Sequence, residues 1–166
     1  MTTAPLILLA AGGTGGHLFP AESLGVQLIR RGFRVRLVTD ARALRYSGLF
    51  SRDTIDVVPS ATVRGRTPWS LARTGVMLAA GTAVALNLMR RLKPAAVVGF
   101  GGYPTVPPLL AARLFGVPTL VHEANAVLGR ANRLLSGGVS AIATSLPGVL
   151  DRDPALAAKT TTVGTP

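Results

Sequence analysis

Short apolar runs alternate with longer amphipathic stretches along almost the whole chain. Apolar runs bounded by glycine, proline or polar residues are typical of buried parallel strands. They predict strands at residues 6–11, 34–39, 54–59, 95–99, 117–121, 139–144 and 159–163. The stretches between them predict helices at 20–31, 69–92, 105–115 and 128–135, with an irregular segment or short helix at 146–153. This alternation predicts an α/β fold, a doubly wound parallel sheet with right-handed crossovers.

The first predicted strand leads into the most glycine-rich part of the chain. This glycine loop consists of Gly12, Gly13, Thr14, Gly15, Gly16 and His17, and Pro20 follows it. Bare backbone at the start of a helix lets an anion approach the N–H groups, and the helix dipole favours it. His17, one of two histidines, adds a titratable imidazole. The loop therefore predicts a site for chemistry on a phosphate-bearing substrate.

Two other interpretations of the glycine loop remain open. A dinucleotide fingerprint needs G-x-G-x-x-G and an acidic residue about 20 positions later. Gly13 and Gly15 fit its first half and Asp40 could bind a ribose, but Leu18 stands where the third glycine belongs. The loop could also be a tight turn between strand and helix that binds nothing.

Two further clusters follow predicted strands. The fourth strand ends at Gly99 and runs into Phe100-Gly101-Gly102-Tyr103-Pro104, and His122-Glu123-Ala124-Asn125 follows the fifth strand. Loops at the carboxyl ends of parallel strands line the ligand crevice of such folds. We therefore expect all three clusters on one edge of the sheet.

Taken together, these three clusters resemble the MurG family of glycosyltransferases. The resemblance spans essentially the whole chain but only the amino-terminal half of that family's two-domain fold. It implies a Rossmann-like domain, the amino-terminal half of a GT-B-type glycosyltransferase. Residues 1–163 would be the acceptor-binding domain and 164–166 the start of the interdomain linker, with the donor-binding domain absent from this chain.

The family transfers N-acetylglucosamine from UDP-N-acetylglucosamine to a lipid-linked muramyl-pentapeptide in peptidoglycan synthesis, with inversion. The resemblance implies two substrates: the nucleotide sugar, held mainly by the second domain, and a polyprenyl-diphosphate-linked acceptor. No cofactor is expected, and the chain alone should be inactive. The alternatives are a non-catalytic acceptor-binding, membrane-docking subunit of a split transferase and a nicotinamide-dinucleotide-binding domain.

The same resemblance and the residue chemistry suggest roles for the clusters. His17 is the expected general base, and Glu123 is a second catalytic candidate, as a base or by orienting its neighbours. Expected substrate-binding residues are Gly12, Gly13, Thr14, Gly15, Gly16, Gly101, Gly102, Tyr103, His122 and Asn125. Three of these have structural alternatives: His122 as a core histidine, Asn125 as a loop cap and Tyr103 as packing over the glycine loop. The chain departs from the family's usual residues at Ala124, where the family has Gln, at 104–108, which is less glycine-rich, and at Thr165, where it has Asn.

The amino-acid composition limits the classes of partner that the chain is expected to bind. The net charge is +11, which implies an anionic partner, and anionic lipid fits better than nucleic acid because aromatic residues are few and the basic residues scattered. There is no cysteine and only two histidines and seven acids, so no metal site is expected. No basic segment precedes the first apolar run, so no signal peptide is predicted.

A membrane-facing helix is the second expectation from charge patterning. Sixteen residues between Arg73 and Arg90 carry no charge, fewer than the roughly 20 that span a bilayer. Trp69, Arg73, Arg90 and Arg91 are the predicted membrane-contact residues, with Arg64, Arg66 and Lys93 also at the margins. Val76, Ala80, Val84 and Leu88 are predicted to share one face. The alternatives are a buried crossover helix and a true span; the predicted location is the cytoplasmic face of the inner membrane, as a peripheral protein.

Overall fold

A computed structural model describes residues 4–45, 48, 50–60 and 67–166. Seven parallel strands form one sheet in the order β3-β2-β1-β4-β5-β6-β7. The strands are β1 Leu6–Ala10, β2 Arg34–Thr39, β3 Ile55–Val57, β4 Ala96–Gly99, β5 Thr119–Glu123, β6 Ala141–Thr144 and β7 Thr160–Thr162. The helices are α1 Gly15–Arg30, α2 Pro68–Leu92, α3 Val106–Leu114, α4 Arg130–Ser136 and α5 Pro154–Ala157. The predicted parallel α/β sheet is confirmed.

The sheet separates two hydrophobic clusters, as its side-chain alternation requires. From β1, Leu8 and Ala10 join one cluster, whereas Leu9 joins the other. Helices α2, α3 and α4 cover the first face, through residues such as Leu109, and α1 covers the second, through residues such as Leu18. The sheet is thus covered on both faces, which explains the continuous apolar runs of its strands.

Two element boundaries differ from the sequence prediction and change the site. Helix α1 begins at Gly15, not at Pro20, because the Thr14 carbonyl already accepts the N–H groups of His17 and Leu18. Strand β5 continues to Glu123, not Val121, because the ladder with β6 extends to the Glu123–Thr144 pair. His17 therefore lies in the first helical turn, and Glu123 is held by the sheet.

The chain order of the strands reverses at β1 and β4, which are neighbours. Segments leaving neighbouring strands at such a point open a crevice at the carboxyl edge. Here the two segments are also joined directly, because the Gly12 N–H donates to the Gly101 carbonyl at 3.0 Å.

Helix α2 has one packed side and one bare side. Ala85, Leu88 and Met89 are buried in the core, and the bare α-carbon of Gly81 lies against Pro59 and Pro107. Leu88 was predicted to share a face with Val76, but Leu88 is buried and Val76 is exposed. Each step of four residues rotates the side chain by about 40° around a helix, so positions several such steps apart no longer face the same way. Among the described residues this one helix is long and apolar enough to cross a membrane by length and composition, which is weak evidence because core helices pass the same test.

Candidate functional site

The amide groups of the glycine loop divide into two sets. The Gly12 N–H binds the Gly101 carbonyl, the Gly13 N–H binds the Asp40 carboxylate, and the Thr14 N–H binds the Gly12 carbonyl at 2.7 Å. These three amides already have acceptors within the protein. Those of Gly15 and Gly16 belong to the first turn of α1, where a helix supplies no acceptor of its own. Of the backbone N–H groups expected to bind an anion, those at the start of α1 therefore remain available.

The missing side chains of Gly12 and Gly101 make room for the His17 ring. A Cβ added at Gly12 would lie 3.0 Å from His17 Nδ1, and one added at Gly101 would lie 3.0 Å from its Cδ2. Gly101 also has a φ of 97°, in the region that disfavours other residues. Thr14 Oγ1 is 2.9 Å from Nδ1, which fixes the ring orientation.

The His17 imidazole is tuned towards its neutral form. Partial burial lowers its pKa below the ordinary 6.5, the negative charge of Glu123 opposes this, and the positive charge of Arg42 adds to it. A neutral imidazole near pH 7 can accept a proton. The geometry and the pKa both suit a general base.

On the opposite wall of the site, across from His17, the Glu123 carboxylate joins several neighbouring residues through hydrogen bonds. Its Oε1 accepts hydrogen bonds from the Asn125 backbone N–H at 3.0 Å and from Asn125 Nδ2 at 2.7 Å. Its Oε2 accepts from the Gly129 N–H at 2.8 Å and from Asn132 Nδ2 at 2.9 Å. Burial alone would raise the pKa of this carboxyl, but the four hydrogen bonds outweigh it and hold the pKa below its usual value. A carboxylate so engaged is suited to holding the 124–129 loop, the orienting role considered above, more than to moving a proton.

Asn132 belongs to this wall and was missed from the sequence. Its Nδ2 donates to Glu123 Oε2 and to the His122 carbonyl at 3.0 Å, while its Oδ1 is buried and has no partner among the described residues. An unpaired buried oxygen is costly, so it marks a place where a ligand donor or a water would bind. The only sequence signal was its position in the helix after the His-Glu-Ala-Asn cluster.

These residues enclose a cleft of about 450 Å³ at the switch point of the sheet. It is lined by Gly16, His17, Phe100, Gly101, Gly102, Tyr103, Glu123, Ala124, Asn125, Gly129, Arg130, Ala131 and Asn132. The structure thus brings together seven of the predicted site residues: Gly16, His17, Gly101, Gly102, Tyr103, Glu123 and Asn125. No cluster of three His, Asp or Glu side chains that could hold a metal ion occurs in the described part of the chain.

His122 does not line this cleft. It is only 3% exposed, its ring lies 5.6 Å from that of Phe100, and its Nε2 is 3.2 Å from the Gly164 carbonyl and 3.3 Å from Ser145 Oγ. The geometry therefore supports the core-histidine alternative and ties the end of β5 to the carboxyl-terminal segment. Gly12 and Gly13 also contribute by packing, since neither lines the cleft.

Asp40 directly follows β2 beside the glycine loop, where a dinucleotide site would place its ribose-binding acid. Its Oδ2 pairs with Arg42 Nη2 at 2.6 Å, and both carboxylate oxygens accept from Arg42 Nε at 3.1 Å. The Arg42 N–H and Gly13 N–H bind the same carboxylate. With these partners Asp40 is poorly placed to hold a ribose, which argues against the nicotinamide alternative.

The predicted membrane-contact residues lie on the bare side and ends of α2. Trp69 is 80% exposed and Val76 is 68% exposed, and Arg73, Arg90 and Arg91 are exposed as well. Arg64 and Arg66 lie outside the described residues. At the carboxyl end of α3, Leu114 and the following residue Phe115 are also exposed. The described residues thus present apolar side chains with arginines at both ends of the helix.

The sequence and fold match known proteins. The family described as "Glycosyltransferase family 28 N-terminal domain" matches residues 7–144. The enzymes named UDP-N-acetylglucosamine–N-acetylmuramyl-(pentapeptide) pyrophosphoryl-undecaprenol N-acetylglucosamine transferase from Rhodopseudomonas palustris (strain BisB5) and Nitrobacter winogradskyi are each 80% identical over all 166 residues. The chain spans 45% of the length of each of these relatives.

Solved structures give the same result. The crystal structure of Acinetobacter baumannii MurG matches with a TM-score of 0.76 and 30% identity, over 98% of this chain and 46% of that one. UDP-N-acetylglucosamine 2-epimerase from Rickettsia bellii has a TM-score of 0.66 at 15% identity, over 97% of this chain and 45% of that one, which shows a shared fold alone. The chain belongs to the glycosyltransferase family 28 N-terminal domain family.

Proposed function

We propose that this chain is the acceptor-binding half of an inverting N-acetylglucosaminyltransferase that converts a polyprenyl-diphosphate-linked muramyl-pentapeptide into its disaccharide form. The observation that carries the proposal is the cleft in which His17, the start of α1 and the Glu123–Asn125–Asn132 wall meet. The 80% identity to enzymes named for this transfer supports it. Residues 164–166 would then begin the linker to a donor-binding domain.

In this mechanism the acceptor's sugar hydroxyl attacks the anomeric carbon of the nucleotide sugar. A new glycosidic C–O bond forms, the bond from that carbon to the UDP oxygen breaks, and the configuration inverts. In the tautomer in which His17 Nδ1–H donates to Thr14 Oγ1, the unprotonated Nε2 is left to take the hydroxyl proton. The first-turn amides of α1 bind the acceptor's diphosphate, and Asn125 and Asn132 bind the acceptor sugar.

The division of substrates between domains is tested by calorimetry. We expect the 166-residue chain to bind a short-chain polyprenyl-diphosphate muramyl-pentapeptide but to show no measurable affinity for UDP-N-acetylglucosamine, and to transfer nothing alone. Micromolar affinity for the nucleotide sugar would contradict this division. Saturable binding of a nicotinamide dinucleotide would instead revive that alternative.

Transfer itself is tested in a chimera that joins this chain to the remaining part of the Rhodopseudomonas palustris relative. We expect activity, and a loss of about 10²–10⁴-fold in kcat for His17→Ala with little change in acceptor KM. A loss confined to KM would make His17 a binding residue. Adding the second part as a separate chain tests the split-subunit alternative, since a natural split enzyme would regain activity on mixing.

We further propose that the protein works at the cytoplasmic face of the inner membrane as a peripheral protein, with α2 as its docking face. A polyprenyl-linked acceptor resides in the bilayer, so its diphosphate is reached only at the surface. The exposed apolar side chains of α2, with arginines at both ends, suit an anionic lipid interface.

A further inference from the structure

Arg130 is the one permanently positive side chain among the described residues that line the cleft. The other ionisable groups of the lining that bear on charge are the Glu123 carboxylate and the His17 imidazole, which is tuned towards its neutral form. The Arg130 guanidinium stays charged at any pH at which the protein is folded, and the residue is exposed. An anionic ligand that enters the cleft therefore meets one fixed cation, carried by the first residue of α4.

The guanidinium of Arg130 is not engaged within the described part of the chain. No ion pair or side-chain hydrogen bond joins it to another described residue. Glu123, the carboxylate of the same cleft, gives its oxygens to Asn125, Gly129 and Asn132 instead. Because the Gly129 N–H is held by Glu123 at 2.8 Å and Arg130 follows directly, the backbone is anchored while the charged end of the side chain keeps its donors.

A second feature of the same wall points to a ligand. Asn132, two residues further along α4, is only 2% exposed, and its Oδ1 has no hydrogen-bond partner among the described residues. Such a buried oxygen needs a donor from a ligand or a water. Asn132 and Arg130 both line the cleft, so a ligand that donates to Asn132 Oδ1 would lie against the wall that carries the cation.

We propose that Arg130 binds an oxyanion of the acceptor in this cleft and so contributes to acceptor recognition. The inference rests on the proposed function, which supplies the acceptor. A planar guanidinium matches the paired oxygens of a phosphate or a carboxylate and can bind either through two parallel hydrogen bonds. The proposed acceptor carries both groups, phosphates in its diphosphate and carboxylates in its peptide, and modified acceptors distinguish these two sources.

Calorimetry on the full chain measures binding of a short-chain polyprenyl-diphosphate muramyl-pentapeptide. Arg130→Gln should weaken this binding by about tenfold or more, because a charge-assisted contact is lost. Arg130→Lys keeps the charge but not the planar fork, so it should give an intermediate loss. Arg133→Gln is the matched control: it removes the same charge from an exposed arginine of the same helix that lines a different groove, between α4 and residues 149–156, and should leave the affinity unchanged.

The partner of Arg130 is identified with an acceptor whose peptide carboxylates are amidated. The ratio of the affinities of the unchanged chain and Arg130→Gln is measured with this acceptor and with the unmodified one. The same ratio for both acceptors would identify the diphosphate as the partner. A ratio that falls to one with the amidated acceptor would identify a peptide carboxylate, since the two changes then act on a single contact.

Inorganic pyrophosphate, as a further ligand, separates this inference from the proposed function. Equal affinity for the acceptor in Arg130→Gln and in the unchanged chain would overturn the role of Arg130 and leave the proposed function standing. An equal loss in Arg133→Gln would overturn it too, because net charge would then explain the effect. Arg130-dependent binding of pyrophosphate by a chain that does not bind the acceptor would uphold the oxyanion site and reject the acceptor, and binding of neither would reject both. Thermal unfolding of each variant verifies that it is folded.

Discussion

At the scale of single residues, the contacts of Glu123 in the candidate cleft suit a carboxylate that positions its neighbours more than one that transfers a proton. Its four hydrogen bonds come from Asn125, Gly129 and Asn132, which are parts of the cleft wall. The wall depends on acceptors that only an ionised carboxylate supplies in full. We therefore assign Glu123 the task of fixing where Asn125 and Asn132 point.

Glu123→Gln should destabilise the fold by about 2 kcal/mol. In glutamine an N–H₂ group takes the place of one carboxylate oxygen, so it would point its hydrogens at N–H groups that now donate to that oxygen. Because the folded-state pKa of Glu123 is lowered, its stabilising effect is fully present above about pH 4.5 and is lost as pH falls through the lowered value. Urea unfolding at several pH values should therefore show the gap between the two proteins closing in acid. A gap that stays constant down to pH 3 would contradict the hydrogen-bonded carboxylate.

His17 makes a prediction about the pH profile of the active chimera. A base must be neutral, so kcat/KM should fall as pH drops through a pKa below 6.5. Glu123 raises and Arg42 lowers this pKa, so Glu123→Gln should move the acid limb to lower pH and Arg42→Gln to higher pH. Stopped assays from pH 5 to 8 measure both; limbs that coincide in all three proteins would remove His17 from the proton transfer.

At the scale of elements, the glycines differ in what they do, although the sequence shows them as alike. Gly101 has a φ of 97° and the His17 ring against it, whereas Gly16 is a helical residue with open space where a side chain would be. Gly101→Ala should therefore destabilise the fold by about 1–2 kcal/mol or more. Gly16→Ala should be neutral or stabilising by up to about 1 kcal/mol, because alanine favours helix.

The same two variants separate folding from binding. Gly16 lines the cleft, so a methyl group there should weaken acceptor binding even while it stabilises the helix. Thermal unfolding and calorimetry on the pair measure the two effects. Equal destabilisation by both substitutions would show that the glycine loop is packed throughout, and that no open approach to the helix start exists.

Helix α2 makes the prediction for membrane binding. We expect the chain to sediment with vesicles that contain anionic lipid, and less so at high salt, because exposed charges are screened within about 8 Å at physiological ionic strength. Replacing Arg73, Arg90 and Arg91 with Glu should release it, and Trp69→Ala should weaken binding without unfolding, since Trp69 is 80% exposed. The triple exchange of Arg30, Arg31 and Arg34 to Glu, with the same change of charge on exposed residues, is the control.

Equal binding to neutral and anionic vesicles would contradict the prediction that the arginines of α2 attract anionic lipid. No binding to either would show that the exposed side of α2 serves another contact. Binding of the control as weak as that of the α2 variant would show that net charge, not this helix, attracts the lipid.

At the scale of the whole molecule, the sheet and the edge on which the clusters meet were predictable, because alternation of apolar runs and glycine turns is a local property. The sequence did not predict which residues of the site face a ligand and which pack against other parts of the protein. Whether Gly13 binds an anion or packs on Asp40 depends on contacts between β2 and the loop after β1, which are distant in sequence. Asn132 and Arg42 were missed for the same reason: each is an ordinary helical or turn residue until the fold brings it beside its partner.

The bond between Gly12 and Gly101 has a consequence for how the molecule is made. Strands β1, β2 and β3 can pair as soon as they leave the ribosome, but β1 gains its second neighbour only when β4 has been synthesised. Contacts between segments so distant in sequence form more slowly than local ones, because the loop between them must be closed before the contacts stabilise the chain. The cleft therefore comes into being late, when the two halves of the sheet join, and a chain arrested before residue 101 would have a glycine loop without a pocket.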